Sequence, residues 1–103
     1  MEGVSLEFYM YAMQKHRGQL LYEWMLEKVK EHKIYQCAVF RGIAGFDSHG
    51  KLHEEHFFEL VSDVPLKLLI IAPPNAANDF LEQLSKEKIS LFYTRSIVEC
   101  KEL

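Results

Sequence analysis

Hydrophobic and polar positions alternate from Leu6 to Met13. Leu6, Phe8, Met10 and Ala12 fall on one side; Glu7, Tyr9, Tyr11 and Met13 fall on the other. A period of two is that of a β-strand, and both faces are largely apolar or aromatic. Gln14 to Gly18 breaks the pattern. From Gln19 to His32 the period lengthens to that of a helix: Leu21, Met25 and Val29 stand four apart, with Leu20 and Trp24 beside them and Glu23, Glu27, Lys30 and Glu31 on the wet side. Glu27 and Lys30 have the spacing of a helix-face ion pair. Ile34 to Phe40 reads as a second strand, interrupted at Arg41-Gly42. Gly42 and Gly45 bracket Ile43-Ala44, a place for a bend or bulge.

Leu66 to Ala72 is apolar at every position but Lys67, the composition of a central strand. Pro65 stands at its first position, where no ladder donor is needed. Pro73-Pro74-Asn75 ends the strand. Asn75 is the predicted N-cap of a second helix, with Asp79 expected in the first turn, where a carboxylate suits the helix dipole. Ala77, Phe80, Leu81 and Leu84 make its apolar stripe. Ile89 to Val98 alternates again as a last strand.

The order β-α-β-β-α-β, with an insert between the second and third strands, is the split βαβ pattern. It predicts an α+β, ferredoxin-like fold. Right-handed crossovers put both helices on one face of a four-stranded antiparallel sheet. The length of 103 residues predicts one domain, residues 1–103. Because the strands are apolar on both faces, the uncovered sheet face predicts a homo-oligomer built through it.

Charge and composition narrow the function classes. A net charge of −3 lacks the basic footprint of nucleic-acid binding. No apolar run approaches the ~20 residues of a membrane-spanning helix. The two cysteines, Cys37 and Cys100, have neither redox nor zinc-finger spacing. Thiols in a chain without a signal-peptide pattern predict a reducing, cytoplasmic location.

Three segments taken in order carry a family likeness: RGIAGF (41–46), GKLH (50–53) and SDVPLKLLI (62–70). They resemble the PII-like family catalogued as domain of unknown function 190. The resemblance implies a trimer whose sheets line a central core, with ligand clefts at the subunit boundaries, as in PII signalling proteins. Those proteins bind adenine nucleotides there. They contact a partner, often a transporter or an enzyme, through the loop after the second strand, here residues 46–60. The chain departs from the pattern at Asp47, where relatives tend to have Gly, and at Glu54 and Glu55 after the histidine. These carboxylates place negative charge where the resemblance implies an anion.

Candidate chemistry gathers around the insert. Arg41 at a strand end, with Gly42 and Gly45, has the ingredients of an anion cradle: a bidentate guanidinium and closely approachable backbone amides. His53 lies nearby. Arg95, mid-strand among apolar neighbours, must find a carboxylate, a ligand or a sheet edge. The predicted ligand-binding set is Arg41, Gly42, Gly45, His53 and Arg95, with no cofactor required. The alternative is a divalent-metal site on His49, His53 and His56, since imidazoles suit zinc, copper and nickel; trimeric CutA-type metal-tolerance proteins share the expected architecture. HEEH is not the zinc-protease HExxH spacing, and on a strand His53 and His56 point to opposite faces. No nucleophile–base arrangement is assignable, so no enzymatic activity is expected.

Overall fold

The computed structural model describes residues 1–46, 52–54 and 64–103. The strands are β1 (Glu2–Tyr11), β2 (Lys15–His16), β3 (Gln19–Leu20), β4 (Gln36–Arg41), β5 (Ala44–Phe46), β6 (Leu52–Glu54), β7 (Pro65–Ala72) and β8 (Phe92–Glu99). The helices are α1 (Leu21–Val29) and α2 (Pro74–Ser85). The main sheet is antiparallel, in the order β4-β7-β1-β8. With two crossover helices, this is the ferredoxin-like arrangement. As its composition predicted, β7 is an inner strand.

Strand alternation sorts the side chains into two layers. On the helix-covered face, Val39, Leu68, Phe8 and Tyr93 form one cross-strand row, and Cys37, Ile70, Leu6 and Arg95 the next. Leu6, Phe8, Leu68 and Ile70 are fully buried against Leu21, Met25, Ala77 and Phe80 of the helices. Each large side chain so buried contributes roughly 1.5–3 kcal/mol. Phe80 meets Phe8 edge-on, with ring centroids 5.8 Å apart.

The helix ends differ from expectation. α2 begins at Pro74 with Pro73 as its cap residue, and no side chain caps it. Asn75 is therefore the second helical residue rather than the N-cap. Proline at the first position loses no helical hydrogen bond and has its φ preset, so the Pro-Pro pair starts the helix itself. Asp79 lies beyond the first turn, which holds no acidic residue. At the C-terminal end of α1, among the described residues, the ion pair that forms is Lys28–Glu31, at 3.3 Å, with Glu31 just past the helix, rather than Glu27–Lys30.

The break at residues 14–18 is itself structured. β2 and β3 pair as a small hairpin, Lys15 opposite Leu20 and His16 opposite Gln19. Its turn residues, Arg17 and Gly18, have φ of 51° and 78°. Positive φ at both central positions is the hairpin turn whose twist matches the strands.

The open sheet face is not uniformly apolar. Phe40, Lys67, Tyr9 and Phe92 form one cross-strand row, and Ala38, Leu69, Glu7 and Thr94 the next. A charged pair sits among the aromatics.

Candidate functional site

β4 ends at Arg41, and Gly42 turns the chain away from the sheet. The Gly42 amide donates to the Pro65 carbonyl at 2.8 Å. A β-carbon at Gly42 would lie 2.8 Å from Pro65 Cγ, so this glycine is required by the close approach of β4's end to the start of β7. β5 and β6 then pair as a second hairpin, with Gly45 directly opposite His53. A β-carbon at Gly45 would meet no described atom within 4 Å. Of the predicted ligand set, Arg41, Gly42, Gly45 and His53 thus follow one another along β4, β5 and β6. Residues 47–51 and 55–63, with His49 and His56, lie outside the described residues.

Arg95 is elsewhere. It stands on β8 opposite Leu6, on the outer strand at the far edge of the sheet from β4. Three strand spacings, about 14 Å, separate the two edges. The helices leave β8 uncovered: Arg95 is exposed, and its strand neighbour Ile97 is 66% exposed. Among the described residues, no carboxylate lies within ion-pair distance of Arg95. The charge is tolerated in an apolar-looking strand because it reaches an edge. One chain therefore does not bring Arg41 and Arg95 together.

Two polar clusters were not legible as such in the sequence. On the open face, Tyr9 Oη and Thr94 Oγ1 donate to Glu7 Oε2 at 3.2 and 3.4 Å, and Lys67 Nζ donates to Glu7 Oε1 at 3.4 Å. Lys67 also lies 5.1 Å from the Phe40 ring centroid. The Tyr9 hydrogen bond, joined by Lys67 and Thr94, holds the Glu7 carboxyl below its ordinary range against the opposing effect of burial. Burial, then the bond to Glu7, pushes the Tyr9 phenol up. Register gives the cause: Glu7 lies diagonal to Lys67 and directly opposite Thr94. On the helix side, His16 and Arg17 converge on Glu87.

A shallow apolar recess of about 170 Å³ lies between α2 and β8, lined by Phe8, Leu81, Leu84, Ile89 and Tyr93 with Ser85 and Leu91. It is remote from the β4 edge and holds none of the predicted ligand residues. Cys37 and Cys100 are free thiols, and burial pushes the Cys37 thiol up. Among the described residues, no three metal-ligating side chains cluster, and no helix is long and apolar enough to cross a membrane.

The fold is that of a ferredoxin-like α+β subunit. The chain belongs to the domain of unknown function 190 family, described as "Uncharacterized ACR", whose model matches residues 3–99. It is 31% identical over 67 residues to a UPF0166 protein of Aquifex aeolicus (strain VF5). That match covers 65% of this chain and 64% of the relative, just under two thirds of the relative's length. Its fold is similar to that of CPII, a nitrogen regulatory PII-like protein from Thiomonas intermedia K12, in a structure bound to ADP, AMP and bicarbonate. The TM-score is 0.62 at 16% identity, over 95% of this chain and 89% of that one. A candidate PII-like signaling protein from Thermus thermophilus gives a TM-score of 0.67 at 15% identity, over 94% of this chain and 87% of that one.

Proposed function

We propose that this chain is a PII-like regulatory protein, not an enzyme. It senses a small anionic ligand, an adenine nucleotide, at clefts between the subunits of a homotrimer. Residues 1–103 act as one domain in the cytoplasm, without nucleic-acid binding or membrane insertion. The 46–60 segment carries the state of the cleft to a protein partner such as a transporter or an enzyme.

The observation that carries this reading is the fold likeness to CPII, whose structures are described as bound to ADP, AMP and bicarbonate, all anions. The placement of the arginines supports it. Arg41 and Arg95 lie at opposite edges of one sheet, so an anion gripped by both requires the β4 edge of one copy and the β8 edge of another. Gly42, Gly45 and His53 stand on the Arg41 side of that cleft.

Isothermal titration calorimetry with ADP, AMP and ATP tests the ligand. Saturable heat and a raised melting temperature are expected. Absence of both for all three nucleotides overturns the nucleotide reading.

A further inference from the structure

We propose that the recess between α2 and β8, with Arg95 at its rim, binds a small amphipathic carboxylate: one apolar group the size of a single ring, joined to one anionic end. The site lies within one chain and does not depend on the nucleotide reading above; Arg95 is the residue the two share.

The recess exists because α2 packs against β1 and β7 and leaves the outer strand β8 largely uncovered. Phe8 and Tyr93, cross-strand partners with ring centroids 5.4 Å apart, line it from the sheet. Leu81 and Leu84 line it from the helix, and Ile89 and Leu91 from the connection to β8. Its volume is about 170 Å³. A cavity of roughly 150 Å³ with a similar leucine, isoleucine and phenylalanine lining accepts a benzene ring. A drug-sized ligand needs roughly 300–1,000 Å³, so only one ring-sized group enters here and the rest of the ligand stays at the mouth. Two hydroxyls belong to the same lining. Ser85 Oγ donates to the Glu82 carbonyl at 2.7 Å, which leaves its lone pairs to accept. The Tyr93 hydroxyl has no hydrogen-bond partner among the described residues.

Charge decides the other end of the ligand. Arg95 stands two residues beyond Tyr93 on the same face of β8, about 7 Å along the strand. It is exposed and pairs with no carboxylate among the described residues. Lys86 and Lys88, next in sequence to the lining residues Ser85 and Ile89, are exposed and likewise unpaired among the described residues. Two carboxylates are close in sequence. Glu87 has its Oε2 engaged by Arg17 and His16; Glu82, beside Leu81, is exposed. Cations thus outnumber unengaged acids around this recess, in a chain whose net charge is −3. A guanidinium grips a carboxylate through two parallel hydrogen bonds, and an apolar wall that excludes water strengthens them. A neutral apolar molecule leaves Arg95 unused, and a purely polar anion leaves the recess unused. A carboxylate with one apolar group uses both.

The test is an amide NMR titration of the full chain with phenylacetate, using phenylethanol as the neutral control and acetate as the anion without an apolar group. Saturable shifts at the amides of Leu81, Ser85, Ile89 and Tyr93 are expected, with a Kd of about 1 mM or tighter for a ligand of this size. Phenylethanol and acetate should each bind at least about tenfold more weakly, as the loss of a charge-assisted bond or of the buried ring requires. Arg95→Gln should weaken phenylacetate by a similar factor and leave phenylethanol unchanged. Ser85→Trp, which fills the recess from an exposed helix position, should abolish both, with circular dichroism to establish that each variant is folded. No saturable shift at these amides, equal binding of phenylacetate and phenylethanol, or undiminished phenylacetate binding by Arg95→Gln or Ser85→Trp overturns the proposal. Failure of the adenine nucleotides to bind leaves it standing, since the phenylacetate titration does not involve them.

Discussion

His16 and Glu87, 71 positions apart in sequence, meet with Nε2 and Oε2 3.2 Å apart. Arg17 donates to the same oxygen through Nε at 3.1 Å and Nη2 at 3.0 Å. Three donors on one carboxylate oxygen pin the β2–β3 hairpin to the turn after α2. Trp24, on α1, presses edge-on against the His16 ring at a centroid distance of 4.6 Å. The contact joins both crossover segments at one end of the molecule.

A pH dependence follows. Burial pushes the Glu87 carboxyl up, but the hydrogen bonds and charges of Arg17 and His16 together outweigh it, and the net shift is downward. A carboxyl depressed in the folded state stabilises above its unfolded value and ceases to as pH falls through its folded one. Glu87→Gln should melt below wild type at neutral pH, and the gap should close on acidification. Paired thermal melts from pH 7 to pH 3 check this; a gap independent of pH would count against the contact.

Gly42→Ala should destabilise by about 1–3 kcal/mol, the usual cost of an overpacked site. The added methyl meets Pro65 Cγ at 2.8 Å and the Pro65 carbonyl at 3.4 Å. Pro65→Ala removes the first obstacle, so the double variant should cost less than the sum of the singles. Urea denaturation of the four proteins measures the difference.

Phe80→Ala should cost about 3–5 kcal/mol, since a fully buried ring leaves a cavity that its neighbours fill only in part. The ring also meets His32 edge-on at 5.5 Å. Chemical denaturation provides the number; a cost below about 1 kcal/mol would mean that α2 packs less tightly than described.

Arg41→Gln and Arg95→Gln should each abolish the calorimetric signal of an adenine nucleotide. Because the two residues occupy opposite sheet edges, mixing the two variants after dissociation should regenerate some clefts with both arginines intact. Recovery of part of the binding capacity is the expected result. Loss of binding in both variants with no recovery on mixing would place the arginines in separate roles.

The strands and helices were legible because their periods were strong. The alternation around Leu6, Phe8 and Met10 marked β1 as a strand, and Ala77 and Phe80 marked the inner stripe of α2. The hairpin at 15–20 was missed because two-residue strands have no period to detect, and Arg17 is an uncommon residue for a positive φ. Asn75 was misassigned as a cap because capping preference competes with proline's preset φ, and the prolines came first. For the candidate site, the order Arg41, Gly42, Gly45, His53 was readable. The separation of Arg95 from it was not, because strand order in a sheet is not chain order.

By itself, then, the sequence determined the four long strands and the two helices, their order along the chain, and which family the chain resembles. These are local properties, set by side-chain period and turn chemistry. The tertiary structure alone decided that Glu7 sits diagonal to Lys67, that Glu87 closes on His16 and Arg17, and that Arg41 and Arg95 end on opposite edges. Register and strand order create those relations, and both are fixed by packing many residues at once against a common core.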